Sequence, residues 1–197
     1  MFAVRVLVVA GALACGKALA QDAKPKTYSV NFQNASWDVV LAWYAEETGL
    51  TFVEAKDKAL PKGALTLRNA VGKKFTLGET TDLLNEALIQ QKWLLIRGEK
   101  SFVVVPADEK IDPALVPKVK VEDLKDRGDT ELVQVVLKVP AALEDEAKEL
   151  WKFLTPFGSM VRLKDTVIVT DTRKSVLRIR TILTEVEKLG QFQHLKQ

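Results

Sequence analysis

The sequence predicts an α+β fold built from two small modules, in the order β-α-β-β-α-β-β and then β-α-β-β-α, with helices packed against small sheets. Two observations predict it. Short β-branched and aromatic bursts alternate with longer stretches whose apolar residues recur at i, i+3 and i+4. Between two such blocks, residues 107–129 read "ADEKIDPALVPKVKVEDLKDRGD", charge-rich, with Pro113 and Pro117 and no sustained apolar period. The expected organisation is a first module over 27–106, a linker over 107–128, a second module over 129–190 and a tail over 191–197. The second block contains no copy of the first, so the modules differ in kind.

The first twenty residues stand apart from both modules. Arg5 precedes an apolar run from Val6 to Ala14, and Ala18-Leu19-Ala20 follows. A positive start, a short apolar stretch and an A-x-A site together read as a secretory signal cut between Ala20 and Gln21. The run is about half of the roughly 20 residues that a bilayer span needs. A lipoprotein reading would put the lipid on Cys15, but Ala12 stands three residues before it where such signals usually carry Leu. Cleavage before Gln21 would remove the single cysteine, and with it any disulfide framework. It would also remove Arg5 and Lys17, lowering the formal net charge from +3 to about +1. Whole-chain attraction to nucleic acid or membrane is then unsupported.

In the first block, Tyr28, Val30 and Phe32 alternate with polar residues as on a half-buried strand. Ser36 can cap a helix on which Trp37, Val40, Leu41, Tyr44 and Ala45 share one stripe. Gly49 suits its end, and Leu50 to Val53 resumes as a strand. Short strands are expected at Ala64 to Arg68 and Lys73 to Thr76, then a helix across Glu79 to Gln91 with Leu83, Leu84, Ala87 and Leu88 inward. "WLLIRGEKSFVVV" reads as a hairpin turning at Arg97-Gly98-Glu99-Lys100.

The second block opens with a strand from Glu131 to Val139, ended by Pro140. Leu143, Ala147, Leu150, Trp151 and Leu154 mark an amphipathic helix stopped by Pro156 and Gly158. Met160 to Leu163 and Thr166 to Thr170 form a hairpin around Lys164-Asp165. A last helix runs from about Lys174 to Leu189, capped by Asp171 or Thr172, with Val176, Ile179, Ile182, Leu183 and Val186 inward. Ile168, Ile179 and Leu183 are expected to serve the fold.

Catalysis finds little support. The one histidine, His194, falls in a polar tail without a rigid scaffold for a metal or a triad. Glu46-Glu47 and Glu144-Asp145-Glu146 sit on predicted solvent faces, and no phosphate-binding G-x-x-x-x-G-K is present. No catalytic residue, metal, cofactor or small-molecule substrate is expected. The second module is KH-like in outline, but its loop Gly158-Ser159-Met160-Val161 lacks the second glycine of a nucleic-acid-binding GXXG. Arg173, Lys174, Arg178 and Arg180 form a basic run on the last helix and are the candidate partner-binding residues. Glu185 and Glu187 follow them at once, so the run also reads as a solvated charged face, and export argues against RNA as the ligand.

"TVIVTDTRKSVLRIRTILTEVEKL", with "ELVQVVLKV" before it, resembles the second, NolW-like N-terminal periplasmic domain of secretins, the ring-forming channels of bacterial secretion and pilus systems. "VNFQNASWDVVLAWYAEETGLTFV" resembles the short N-terminal domain that secretins share with signalling TonB-dependent receptors. The resemblance implies a non-enzymatic periplasmic assembly module of a type II or III secretion or type IV pilus system, associated with the outer membrane. Its partners would be other secretion or pilus proteins, or further copies of itself in a ring. A sensing module like that of TonB-dependent receptors is the alternative, and it would need only the first block. A secretin continues into a β-barrel pore, for which neither half supplies long repeated strands. A stub that partners a separate channel and a piece of a longer chain both stay open.

Overall fold

The computed structural model describes residues 25–54, 59–140 and 147–194. The signal-like segment, with Cys15, Ala18, Ala20 and Gln21, lies outside the described residues, as does Leu143.

In the first module, β1 (Phe32–Ser36) leads directly into α1 (Trp37–Thr48). Ser36 takes the extended N-cap conformation, but its side chain makes no capping bond, and Gly49 closes the helix as expected. β2 (Thr51–Phe52) and β3 (Ala64–Leu67) precede α2 (Leu77–Ile89), and β4 (Trp93–Arg97) and β5 (Ser101–Pro106) form the expected hairpin. β1 pairs antiparallel with β3. β2 runs parallel to β5, and β5 pairs antiparallel with β4.

Two expectations for this block are corrected. Tyr28 and Val30 are buried as their alternation predicts, but the strand begins only at Phe32. The strand expected over Lys73 to Thr76 is a single bridge in which Phe75 and Tyr28 exchange backbone hydrogen bonds of 2.8 and 2.9 Å. α2 starts two residues earlier than expected because Thr76 and Glu79 form a capping box. The Thr76 N–H donates to Glu79 Oε2 at 2.7 Å and the Glu79 N–H returns to Thr76 Oγ1 at 3.3 Å. The Thr76 N–H, and the Thr76 hydroxyl donating to the same oxygen at 2.9 Å, hold the Glu79 carboxyl below its ordinary pKa.

The first core gathers Trp37, Val40, Leu41 and Tyr44 of α1, Leu84 and Leu88 of α2, and Leu95, Phe102 and Val104 of the hairpin. Burying each large apolar side chain contributes about 1.5–3 kcal/mol. The Tyr44 and Thr81 hydroxyls share a 2.7 Å hydrogen bond between the two helices. Burial pushes the Tyr44 phenol far above its ordinary pKa, against the opposing effect of Thr81. Asn85, also buried, closes the outer edge of β4: the Leu95 N–H donates to Asn85 Oδ1 at 2.8 Å, and Asn85 Nδ2 donates to the Leu95 carbonyl at 3.3 Å.

The other face of the β4–β5 hairpin is covered as well. Leu94, Ile96, Val103 and Val105 pack against Val116 and Leu132, with Ala107, Ile111 and Phe157 around them. Strands buried on both faces read as continuous apolar runs, as these two do. The stretch over 107–128 supplies part of that cover. It contains 3₁₀ turns at Pro113–Leu115 and Val121–Asp126, it buries Val116 and Leu124, and the short strand expected near Lys118 is one bridge to Gln134.

The second module is a three-stranded antiparallel sheet of β6 (Leu132–Lys138), β7 (Ser159–Leu163) and β8 (Thr166–Thr172), with β8 in the centre. α3 (Arg173–His194) and a 3₁₀ segment (Ala147–Phe153) cover one face. Val133, Val135, Leu137, Met160, Val167 and Val169 point into this core, against Leu150, Val176, Ile179 and Leu183. Trp151, expected inward, is exposed, whereas Leu150 is buried. A 3₁₀ winding of three residues per turn stacks Leu150 over Phe153 and leaves Trp151 off that row. Of the two expected caps, Thr172 serves α3, accepting the Ser175 N–H at 3.4 Å. Asp171 turns inward and accepts from Thr155 N and Oγ1 at 2.7 and 2.5 Å. Only glycine fits beside it at 158, since a Cβ there would lie 2.6 Å from the Asp171 carboxylate.

Candidate partner-binding surface

An α-helix turns about 100° per residue, so basic residues at positions 173, 174, 178 and 180 spread over roughly 160° of its circumference. The structure divides them accordingly. Arg173 turns inward, donating from Nε to the Leu124 carbonyl at 2.7 Å and pairing with Asp129. The Lys174 backbone N–H bonds the Asp129 carbonyl at 3.1 Å, and its side chain is exposed. Arg178 lies one turn on from Lys174, its guanidinium 4.6 Å from the centre of the Phe153 ring. Arg180 faces elsewhere, into a cleft beside Val121, Glu122, Val136 and Glu187. Lys174 and Arg178 are thus the pair that helical spacing brings together.

The sequence reading missed the outer face of the β6–β8–β7 sheet. Ile168 at its centre stands opposite Val136 on one side and Val161 on the other. Val136 is 59% exposed and Val161 is 55% exposed, and Leu163 next along β7 is 53% exposed. Ile168, expected in the core, belongs to this outward row because neighbouring residues on a strand face opposite sides. Lys138 adds a positive charge, and the Gln134 amide donates to Thr170 Oγ1 at 3.0 Å at one end of the face. Among the described residues no strand pairs with the outer edge of β7. The β6 edge is partly occupied: the Val119 N–H donates to the Gln134 carbonyl and the Gln134 N–H to the Pro117 carbonyl, both at 2.9 Å.

Neither a protein-family model nor a curated protein sequence matches this chain. Solved structures do. A chain of the Klebsiella pneumoniae type II secretion system outer membrane complex, which contains PulD, PulS and the PulC HR domain, matches at a TM-score of 0.57 and 16% identity. The match covers 81% of this chain and 26% of that one. The chain has the fold of secretin N-terminal domains. The N-terminal domain of the secretin XcpQ from Pseudomonas aeruginosa matches at a TM-score of 0.33 and 13% identity, over 82% of this chain and 66% of its own length. The Vibrio cholerae type IV competence pilus secretin PilQ matches at 0.29 and 16% identity, over 81% of this chain and 38% of its own. The chain therefore spans about two thirds of the XcpQ structure and about a quarter of the Klebsiella chain. Among the described residues, no helix of this secretin-like fold is long and apolar enough to cross a membrane.

Proposed function

We propose that this chain is a non-enzymatic periplasmic assembly module of a secretin-like secretion or type IV pilus system, working through protein–protein contacts. The observation that carries the reading is the outward row of Val136, Ile168 and Val161 beside the outer edge of β7, with which no strand pairs among the described residues, on a fold found in a type II secretion outer membrane complex. Contiguous exposed apolar residues next to an open strand edge suit a partner that extends the sheet and covers its face. Arg180 supplies charge in the cleft that Val136 also lines, and Lys174 and Arg178 supply it on α3, on the helical side of the sheet; such charges steer and orient a partner. Arg173 sets the start of α3 behind them. Two modules, over 27–106 and a KH-like 129–190, are joined by 107–128. The partners are other secretion or pilus proteins at the outer membrane, or further copies of the chain.

Export by cleavage before Gln21 is part of the same reading, and N-terminal sequencing of protein from the periplasm should begin at Gln21. A chain starting at a lipid-modified Cys15 would replace that with a lipoprotein. For function, wild-type chain cross-linked in envelope extracts should recover secretion or pilus components. Lys174→Glu, Arg178→Glu and Arg180→Glu together should reduce that recovery while moving stability by less than about 1 kcal/mol, because exposed charges contribute little to folding. Equal recovery from the folded triple variant would remove the charges from the interface. A wild type that recovers no such component would remove the assembly reading.

A further inference from the structure

The two modules meet at a buried ionic node. Glu131, just before β6, is 1% exposed, and its carboxylate accepts four hydrogen bonds. Arg97, at the end of β4, donates from Nε at 2.9 Å and from Nη2 at 2.7 Å. Arg127 Nη1 donates at 3.2 Å and the Gly128 N–H at 2.7 Å. Arg97 Nη2 also reaches the Asp126 carbonyl at 2.9 Å, and Arg127 Nη1 returns to the Arg97 carbonyl at 2.6 Å. Burial alone would lower the Arg97 pKa, but the hydrogen bonds and charge of Glu131 outweigh it and raise it.

The turn that carries Glu131 is gripped from both sides. From the first module, Asp82 of α2 accepts from the Asp129 N–H at 2.8 Å, the Thr130 N–H at 2.7 Å and Thr130 Oγ1 at 2.6 Å. Gly78 of α2 lies against the same turn so closely that a Cβ on it would be 2.8 Å from the Gly128 nitrogen. From the second module, the Arg173 N–H donates to the Glu131 carbonyl at 2.8 Å.

Burying an ion pair is a poor way to gain stability, since well-packed apolar side chains of similar volume often do as well or better. Its distinguishing property is direction. A planar guanidinium bonded at two points to a carboxylate fixes rotation as well as distance. The apolar seam of Ile96, Val116 and Leu132 alone would permit sliding. We infer that the turn from Asp126 to Glu131 is an angular lock, holding the two modules in one orientation so that their outer surfaces are presented as a single rigid unit. The inference stands on the junction alone and does not depend on which partner those surfaces meet.

Residual dipolar couplings on the purified whole protein test orientation separately from stability. In the wild type, couplings from both modules should fit one shared alignment tensor. In Arg97→Met/Glu131→Leu, which keeps the junction filled while removing the two-point ion pair, each module should retain its own spectrum while the two tensors diverge. A wild type that needs two tensors, or a folded double variant that still fits one, overturns the lock. Should the double variant not fold, Asp82→Ala is read in the same way. Divergence of the two tensors supports the lock, and a single unchanged tensor overturns it.

Discussion

The two three-stranded sheets differ on the face turned away from their helices. In the β2–β5–β4 sheet that face is dry: Leu94, Ile96, Val103 and Val105 are covered by Val116 and Leu132. In the β6–β8–β7 sheet the corresponding face shows Val136, Val161 and Leu163 to solvent. Both sheets carry apolar residues in the phase that an open antiparallel sheet would give to polar ones. In the first sheet the chain itself supplies the cover, from the connecting stretch and the first residue of β6. In the second, among the described residues, it does not. The same sequence signal therefore marks an internal seam in one place and an available surface in the other.

The strongest test of scale is the first core, where Trp37→Ala should cost about 3–5 kcal/mol in denaturant unfolding followed by circular dichroism, as for a large buried aromatic. On the covered second face of the first sheet, Ile96→Ala should cost about 2–5 kcal/mol if the seam is packed like a core. A loss below about 1 kcal/mol would mean that this face is solvated, and the contrast between the sheets would fail. The smallest change should come from Val161→Thr on the open face, within about 0.5 kcal/mol of wild type, as for a surface substitution. The same variant should recover less partner in the cross-linking experiment. A large loss of stability from Val161→Thr would show that the outward row is already covered.

Much of this was legible in the sequence. The first module's element order, the hairpin turning at Gly98 and the stripe of Trp37, Val40, Leu41 and Tyr44 all follow from local periodicity and turn chemistry. The start of α2 was readable too, since Thr76 and Glu79 have the capping-box spacing, but the preceding Phe75 drew the residues into a strand. The burial of Ile168 could not be assigned from its own run, because "TVIVT" is apolar in both phases and periodicity does not say which face is filled. Trp151 depended on whether its segment winds as an α-helix or a 3₁₀ helix. The basic run looked like one patch because adjacency in sequence conceals rotation about the helix. The Arg97–Glu131 node joins residues 34 positions apart and leaves no local trace, so nothing short of the assembled fold displays it.

Asn85 caps one edge of the first sheet. By offering Leu95 both a donor and an acceptor, its side chain occupies the place that one residue of an incoming strand would take. A guest strand would have to displace a buried amide before it could join, whereas β7 asks for no such displacement. Strand addition is thereby obstructed at β4, while among the described residues no strand pairs with the outer edge of β7.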